Sequence, residues 1–183
     1  MSFLNVSFFV FLIIGAIIYY IIPKKLQWVW LLVLSFIYYF SFSIKCSLAL
    51  VYVTTIVYFA GLFIAKLEQD RKIVQNFEGG VKLSKEDKKI IKKKFVRKKK
   101  MVVAVALLFA FGLLAVIKYS DFAITNFNRV FSTGFKSPSF VLPLGLSFFT
   151  FQAVSYVIDV YQGKCSAETN YFKMLLFVSF FPQ

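Results

Sequence analysis

Long apolar runs separated by short polar breaks dominate the chain. Four runs precede residue 118, at about 3–22, 26–42, 47–65 and 101–117. Each approaches the roughly 17–25 residues that cross a hydrocarbon layer of about 30 Å as a helix. A fifth run covers 140–161, and a sixth begins at Tyr171 and stops at Gln183. The pattern predicts an all-α, polytopic transmembrane helical bundle, with five full spans plus the start of a sixth or re-entrant helix.

Two polar segments interrupt this series of spans. Residues 66–100 hold 14 Lys or Arg and 5 Asp or Glu. They therefore contribute most of the chain's net charge of +14. Because basic residues flank spans on the cytoplasmic side, we predict a basic cytoplasmic loop at 66–100 and an N-terminus outside. SKED at 84–87 predicts a capping-box helix start. The lysine-rich residues after it form either a helix lying on the membrane surface or a solvated, partly disordered loop.

The second polar segment, 118–140, is too polar to cross a membrane. Ile124, Phe127 and Phe131 recur in it at helical spacing and predict an interfacial helix ending near Gly134. The sixth run raises a different point, because 13 residues form only about 20 Å of helix. We therefore expect the chain to be the N-terminal part of a longer protein, unless this run is one arm of a re-entrant hairpin.

The fifth run has polar residues on one helical face. That face comprises Gly145, Phe148, Gln152, Ser155, Tyr156, Asp159 and Gly163. The opposite face is predicted to be compatible with lipid and comprises Leu146, Phe149, Ala153, Val157 and Val160. Polar groups in a span usually face the bundle interior or a water-filled cavity. Gln152 and Ser155 therefore either line a substrate path or bond neighbouring helices, and Asp159 either lines that path or pairs with Lys164 near the cytoplasmic end.

Residue types exclude several other functions. The chain contains no histidine, and its two cysteines, Cys46 and Cys165, form no CxxC pair, so the sequence predicts no metal site and no Ser-His-Asp triad. No base-stacking aromatic array accompanies the positive charge, which disfavours nucleic-acid binding.

Two stretches of the C-terminal part carry a family resemblance. LPLGLSFFTFQAVSYVIDVYQGK at 142–164 and NYFKMLLFVSFFPQ at 170–183 resemble the signature region of the membrane-bound O-acyltransferases. They are most similar to the bacterial branch that contains alginate O-acetyltransferase and its polysaccharide- and peptidoglycan-acetylating relatives. AVIKYSDFAITNFN at 115–128 is similar to the family's preceding segment. The resemblance is most specific over 141–183 and weaker over 1–140.

This resemblance implies transfer of an acyl group, typically acetyl, to a hydroxyl on an extracytoplasmic glycan or a partner protein. A cytosolic donor such as acetyl-CoA would act as co-substrate, with no bound cofactor. The family's fold is a ring of tilted helices around a funnel, and its catalytic base is a histidine. Since this chain has none, we assign no catalytic residue and expect residues 1–183 alone to be inactive. The candidates for the funnel wall are Gln152, Ser155, Tyr156, Asp159, Pro182 and Gln183.

The resemblance also implies a setting. We expect residues 1–183 to form a single transmembrane domain in the bacterial cytoplasmic membrane. The expected partners are the lipid bilayer, a glycan acceptor and an extracytoplasmic partner acyltransferase, with no nucleic acid. Two alternatives stay open. The intramembrane polar face also suits a transporter or flippase component, and the basic loop suits a non-enzymatic scaffold that binds anionic lipid or a cytosolic partner.

Overall fold

Six helices make up almost all of the described structure. The computed structural model describes residues 6–42, 44–76, 85–131, 133–134 and 145–180. The helices are α1 (Val6–Ile21), α2 (Gln27–Phe42), α3 (Ile44–Asn76), α4 (Lys85–Phe131), α5 (Leu146–Gln162) and α6 (Tyr171–Ser179). No strand occurs within these ranges. The all-α prediction is therefore confirmed for the described part of the chain.

The first two helices form a hairpin around Pro23. Proline has no backbone N–H and cannot continue a helix, so α1 ends just before it. The backbone N–H of Leu26 then donates to the Pro23 carbonyl at 2.8 Å, and α2 begins one residue later. The indole Nε1 of Trp30 donates to the Gly15 carbonyl at 3.0 Å, which joins the two helices.

The third helix lies at the centre of the bundle. It contacts α2, α4, α5 and α6. Its inward face repeats every three or four residues, as expected for a helix that buries one stripe. The buried members of that stripe are Leu50, Val53, Val57, Ala60 and Ile64. Burying this apolar stripe removes it from solvent or lipid and fixes the positions of the four surrounding helices.

The basic loop predicted at 66–100 is mostly helical. α3 continues eleven residues past the predicted span end at Ala65, and α4 begins at Lys85, close to the predicted helix start. The ammonium of Lys99 and the guanidinium of Arg71 both bond the Glu68 carboxylate. The described parts of this segment therefore lengthen α3 and α4 beyond their apolar stretches. There the ion pair between Glu68 and Lys99 holds the two helices side by side.

The fourth helix is longer than predicted. It contains 47 residues without a break, or about 70 Å of helix at 1.5 Å per residue. The surface helix expected before residue 101 and the interfacial helix expected after residue 117 are thus its two ends, and their prediction as separate elements is wrong. Hydrophobicity changes at residues 100 and 118, but no proline lies in between. The residues there favour helix, so α4 continues without a break.

Two helices are long and apolar enough to cross a membrane by length and composition: residues Ser47–Gln75 and Lys88–Phe131. Shorter apolar helices occur at Phe8–Ile21 and Gln27–Ser41. Large apolar side chains point outward from these helices; Leu108, for example, is 70% exposed. Apolar surface of this extent suits contact with lipid better than with water. The count of five full spans stays a prediction.

The Glu68 ion pair has a pH dependence that can be tested. Hydrogen bonding from Arg71, with further contributions from Lys99, lowers the pKa of Glu68 to about 2 against a smaller opposing effect of burial. A lowered folded-state pKa stabilises the protein above the unfolded pKa of about 4.3, and this contribution is lost as pH falls toward about 2. We expect Glu68→Gln to lower the Tm of the detergent-solubilised protein by about 1–3 °C at pH 7.

The difference in Tm between Glu68→Gln and the unchanged protein should shrink as pH falls below about 4. Asp70→Asn is the control, because it removes a carboxylate from the same helix that pairs with no described residue. Equal losses from both variants at pH 7 would show that the ion pair to α4 contributes nothing specific.

Candidate functional site: the cleft between α5 and α6

Glycines at both ends set the limits of α5. Gly145 precedes the helix with φ 89° and Gly163 follows it with φ 76°, a left-handed conformation that only glycine adopts readily. At the C-terminal end, the N–H groups of Gly163 and Lys164 donate to the carbonyls of Val160 and Asp159. The chain therefore turns sharply into the polar loop at 163–170, which connects α5 to α6.

The start of α6 is held by this loop and by α3. The side chain of Asn170 caps the helix by accepting from the N–H groups of Phe172 and Lys173. The hydroxyl of Tyr58, on α3, donates to the Thr169 carbonyl at 2.7 Å. These end contacts add to the burial of Met174, Leu175 and Val178, which packs the nine-residue helix against the core.

Between α5, the loop and α6 lies a half-open cleft of about 350 Å³. Three predicted site residues, Ser155, Tyr156 and Asp159, line it. Gln152 lies beside it, where its amide Nε2 donates to the Phe177 carbonyl of α6 at 2.9 Å. The structure thus brings four of the six candidates together. Pro182 and Gln183 lie outside the described residues.

Tyr156 forms the base of the cleft. Its hydroxyl accepts from the backbone N–H of Glu168 at 2.9 Å, which holds the loop against α5. The same hydroxyl lies against Gly61 of α3, where an added Cβ would be only 2.9 Å from its oxygen. Sequence reasoning placed Tyr156 on the polar face but missed Gly61, because nothing in a single sequence shows which glycine another helix approaches.

Two members of the polar face have local partners. Ser155 donates to the Gln152 carbonyl of its own helix at 2.8 Å. Asp159 pairs with Lys164 at 3.6 Å, with both side chains largely exposed, which agrees with the interfacial alternative for this residue. Exposed pairs of this kind contribute about 0–1 kcal/mol, so Asp159 is free to exchange Lys164 for another cation.

Gln152 differs from these two residues. Its amide nitrogen is bonded to α6, but its carbonyl Oε1 is buried and has no hydrogen-bond partner among the described residues. Leaving a buried acceptor unpaired costs about 1–3 kcal/mol. Gln152 therefore joins α5 to α6, and its enclosed Oε1 is an acceptor that a buried water molecule can satisfy.

The face of α5 predicted to contact lipid is buried instead. Leu146, Phe149, Ala153, Val157 and Val160 all belong to the core, and Ala153 is fully buried. The exposed apolar side chains of this helix are Phe148 and Phe151. The prediction failed because helices that pack on other apolar helices and helices that face lipid show the same apolar stripe.

A second cleft opens on the other side of the loop. It has a volume of about 630 Å³ and is bounded by α3, α4, the end of α5 and Cys165. Its charged lining residues are Glu68, Lys72, Lys99 and Lys164. Partial desolvation and the nearby Asp159 charge raise the pKa of Cys165, although the residue is exposed. The thiol is therefore a poor nucleophile. Nothing in the spacing of residues along the sequence predicted this second cleft.

The described side chains can bind and position a ligand but offer little reactive chemistry. Among them, no group of three or more His, Cys, Asp or Glu residues could hold a metal ion. Asp159 and Glu168 are the carboxylates that line the α5–α6 cleft. One is paired with Lys164, and the other accepts from the N–H groups of Thr169 and Asn170. The cleft thus has a few hydrogen-bonding groups set in a lining that is mostly apolar, with Met174 and Phe177 among its members.

Comparison with known proteins identifies the class of protein to which the chain is similar, the bacterial O-acetyltransferases. The chain is 29% identical over 97% of its length to the probable alginate O-acetylase AlgI of Pseudomonas aeruginosa. It is 26% identical over 97% of its length to the probable alginate O-acetylase AlgI of Azotobacter vinelandii. Over 46% of its length it is 31% identical to the peptidoglycan O-acetyltransferase of Helicobacter pylori. No family model matches the chain, and no solved structure matches it significantly.

The resemblance to the membrane-bound O-acyltransferases is therefore confirmed. The chain spans about a third of the length of the two alginate O-acetylases, 30% and 32% respectively. The similarity extends through nearly all of the chain and so covers the central helix and the cleft as well as the residues that first showed the resemblance.

The contact between Gly61 and Tyr156 predicts a specific pair of effects. We expect Gly61→Ala to destabilise the protein by about 1–3 kcal/mol, because the new methyl group overlaps the tyrosine hydroxyl. Adding Tyr156→Phe should recover part of that loss, since it removes the closest atom. The measurement is a double-mutant cycle on thermal unfolding in detergent.

Gly112→Ala provides the matched control. Gly112 lies inside α4, and a Cβ there meets no described atom within 4 Å. Its replacement should leave Tm unchanged or slightly higher, because alanine favours helix more than glycine does. Strictly additive effects of Gly61→Ala and Tyr156→Phe would contradict the close contact.

Proposed function

We propose that this chain is part of a membrane-bound O-acyltransferase that transfers an acetyl group to hydroxyls of an extracytoplasmic polysaccharide or cell-wall glycan. The observation that carries the proposal is the similarity to alginate O-acetylases over 97% of the chain. The peptidoglycan O-acetyltransferase extends it to a second acceptor of the same chemical class, a glycan hydroxyl.

The part of the reaction that we assign to this chain is positioning. The sequence contains no histidine, so the general base expected of the family is not among residues 1–183. The α5–α6 cleft supplies the hydroxyls of Ser155 and Ser166 and the weakly held carboxylate of Asp159, which are groups that bind a polyhydroxylated ligand. We assign to Gln152 the role of holding α6 against α5 beside the cleft, because its Nε2 donates to the Phe177 carbonyl.

The orientation is inferred from charge. The helical hairpin formed by the ends of α3 and α4 carries most of the basic residues, so we place it on the cytoplasmic side with the N-terminus outside. Asp159 and Lys164 then lie toward the cytoplasm. A cytosolic donor such as acetyl-CoA would approach from that side, and the glycan acceptor, alone or with an extracytoplasmic partner acyltransferase, from the other.

The proposed role of Gln152 is tested in liposomes that contain the protein expressed as its complete reading frame. Radiolabelled acetyl-CoA is supplied on one side and an acetyl-free glycan on the other, and ester-linked label is counted. We expect Gln152→Leu to lower the rate about threefold to tenfold, the equivalent of one interhelical or ligand hydrogen bond of about 0.6–1.5 kcal/mol. Asp159→Asn should reduce it less, since Asp159 is exposed and paired.

Asn126→Leu is the matched control, because Asn126 is an exposed amide on α4 that donates only to the Phe122 carbonyl of its own helix. It should leave the rate unchanged. Folding of each variant is checked by its Tm in the same detergent. If Gln152→Leu and Asp159→Asn both retain full transfer, the cleft plays no part in the reaction. Movement of glycan or donor across the membrane without ester formation would favour a transporter instead.

A further inference from the structure

An apolar groove runs between α3 and α4, outside the two clefts described above. Its volume is about 550 Å³, within the range of about 300–1,000 Å³ that is common for ligand pockets. Small buried residues, Ala60 and Ala106, lie among its lining residues. Larger exposed ones, Phe63, Met101 and Val105, line it as well. The groove therefore combines small side chains that leave space with large apolar side chains that border it.

Lys98 is the charged residue that lines this groove. It lies at the end where α4 changes from a lysine-rich to an apolar sequence, between Lys100 and Met101. Lysine side chains near such a boundary direct the ammonium to the headgroup layer while their methylenes stay in apolar surroundings. Lys94 precedes Lys98 by four residues and so lies on the same helical face. The groove thus has an apolar body and a cationic end.

This arrangement matches the two parts of one ligand class. An acyl chain fits an apolar groove that opens sideways from a helical bundle, and a phosphate fits the ammonium group at its end. Each juxtamembrane lysine raises the affinity for an anionic lipid about fivefold, the equivalent of about 1 kcal/mol. Zwitterionic lipids carry no net negative charge to pair with the Lys98 ammonium.

We propose that the α3–α4 groove binds an acyl chain of an anionic phospholipid, whose phosphate contacts Lys98. Lys98, with Lys94 on the same face, is complementary in charge to a lipid phosphate. This complementarity favours a lipid over a second copy of the chain as the occupant of the groove. The Lys98 ammonium lies 5.8 Å from the ring centroid of Phe95 on its own helix, and no described carboxylate pairs with it. The inference does not depend on the acyl-transfer function, because the groove lies apart from the α5–α6 cleft.

The test uses the protein expressed as its complete reading frame and purified in mild detergent. Native mass spectrometry measures retention of phosphatidylglycerol and of phosphatidylethanolamine with identical acyl chains. We expect phosphatidylglycerol to be retained preferentially, and Lys98→Gln to weaken its binding about fivefold. Lys93→Gln is the matched control, since it removes the same charge five residues earlier on the opposite side of the helix. It should change binding less than twofold.

A second pair of variants tests the groove itself. Val105→Trp places a large side chain at the groove and should reduce retention of the lipid, whereas Leu108→Trp, on an exposed position that does not line it, should not. A phosphatidylglycerol with a photoreactive group in its acyl chain should crosslink within residues 56–67 or 101–109.

Three results would overturn the proposal. These are equal retention of the two lipids, crosslinks confined to other helices, or a protein dimer that Val105→Trp dissociates. The last result would mean that a second copy occupies the groove. A fourth such result is the absence of any retained phosphatidylglycerol from the folded protein. Each variant is compared at matched Tm, so that a loss of folding is not mistaken for a loss of binding.

Discussion

The cleft depends on the position of one tyrosine side chain. Tyr156 projects from α5 against Gly61 of the central helix, and its hydroxyl accepts from the Glu168 N–H in the loop that leads to α6. This side chain therefore joins α3, α5 and the following loop at one point, beside the apolar contact between the two helices. Any residue larger than glycine at position 61 would displace this hydroxyl and change the cleft it borders. Close packing against a small residue is a common way for apolar helices to associate.

The central helix, α3, connects the Gly61–Tyr156 contact to the rest of the bundle. Its buried stripe from Leu50 to Ile64 packs against α5 and the neighbouring helices, while Tyr58 and Thr55 reach outward to the Thr169 carbonyl and the Tyr171 hydroxyl. Apolar contact fixes its inner side, and hydrogen bonds fix the short helix α6. Beyond the apolar stretch, the Glu68–Lys99 pair continues the same contact between α3 and α4 with charged groups. The chemistry of the α3–α4 contact thus changes along the axis as its surroundings become more polar.

The sequence predicted element types better than element limits. The apolar runs located the helices, and four residues of the predicted polar face of α5, Gln152, Ser155, Tyr156 and Asp159, lie in or beside one cleft. It could not show that α4 continues through residues 100 and 118, because charge patterning reports surroundings and not backbone continuity. Nor could it separate lipid-facing from core-facing apolar stripes on α5. The contacts of Tyr156 with Gly61 and Glu168 depend on tertiary packing, which helical spacing does not encode.

Hydrogen-bond satisfaction distinguishes the members of the polar face from one another. Ser155 bonds its own helix, Asp159 has Lys164, and Tyr156 has the loop, so each of these groups has a partner within the described structure. Gln152 differs, because its buried Oε1 lacks a described partner while its nitrogen holds α6. An acceptor in this state costs about 1–3 kcal/mol unless water or a ligand completes it. The stripe therefore combines three residues that bond to their own helix or to the following loop with one amide that bonds to α6 and keeps an unsatisfied, enclosed acceptor.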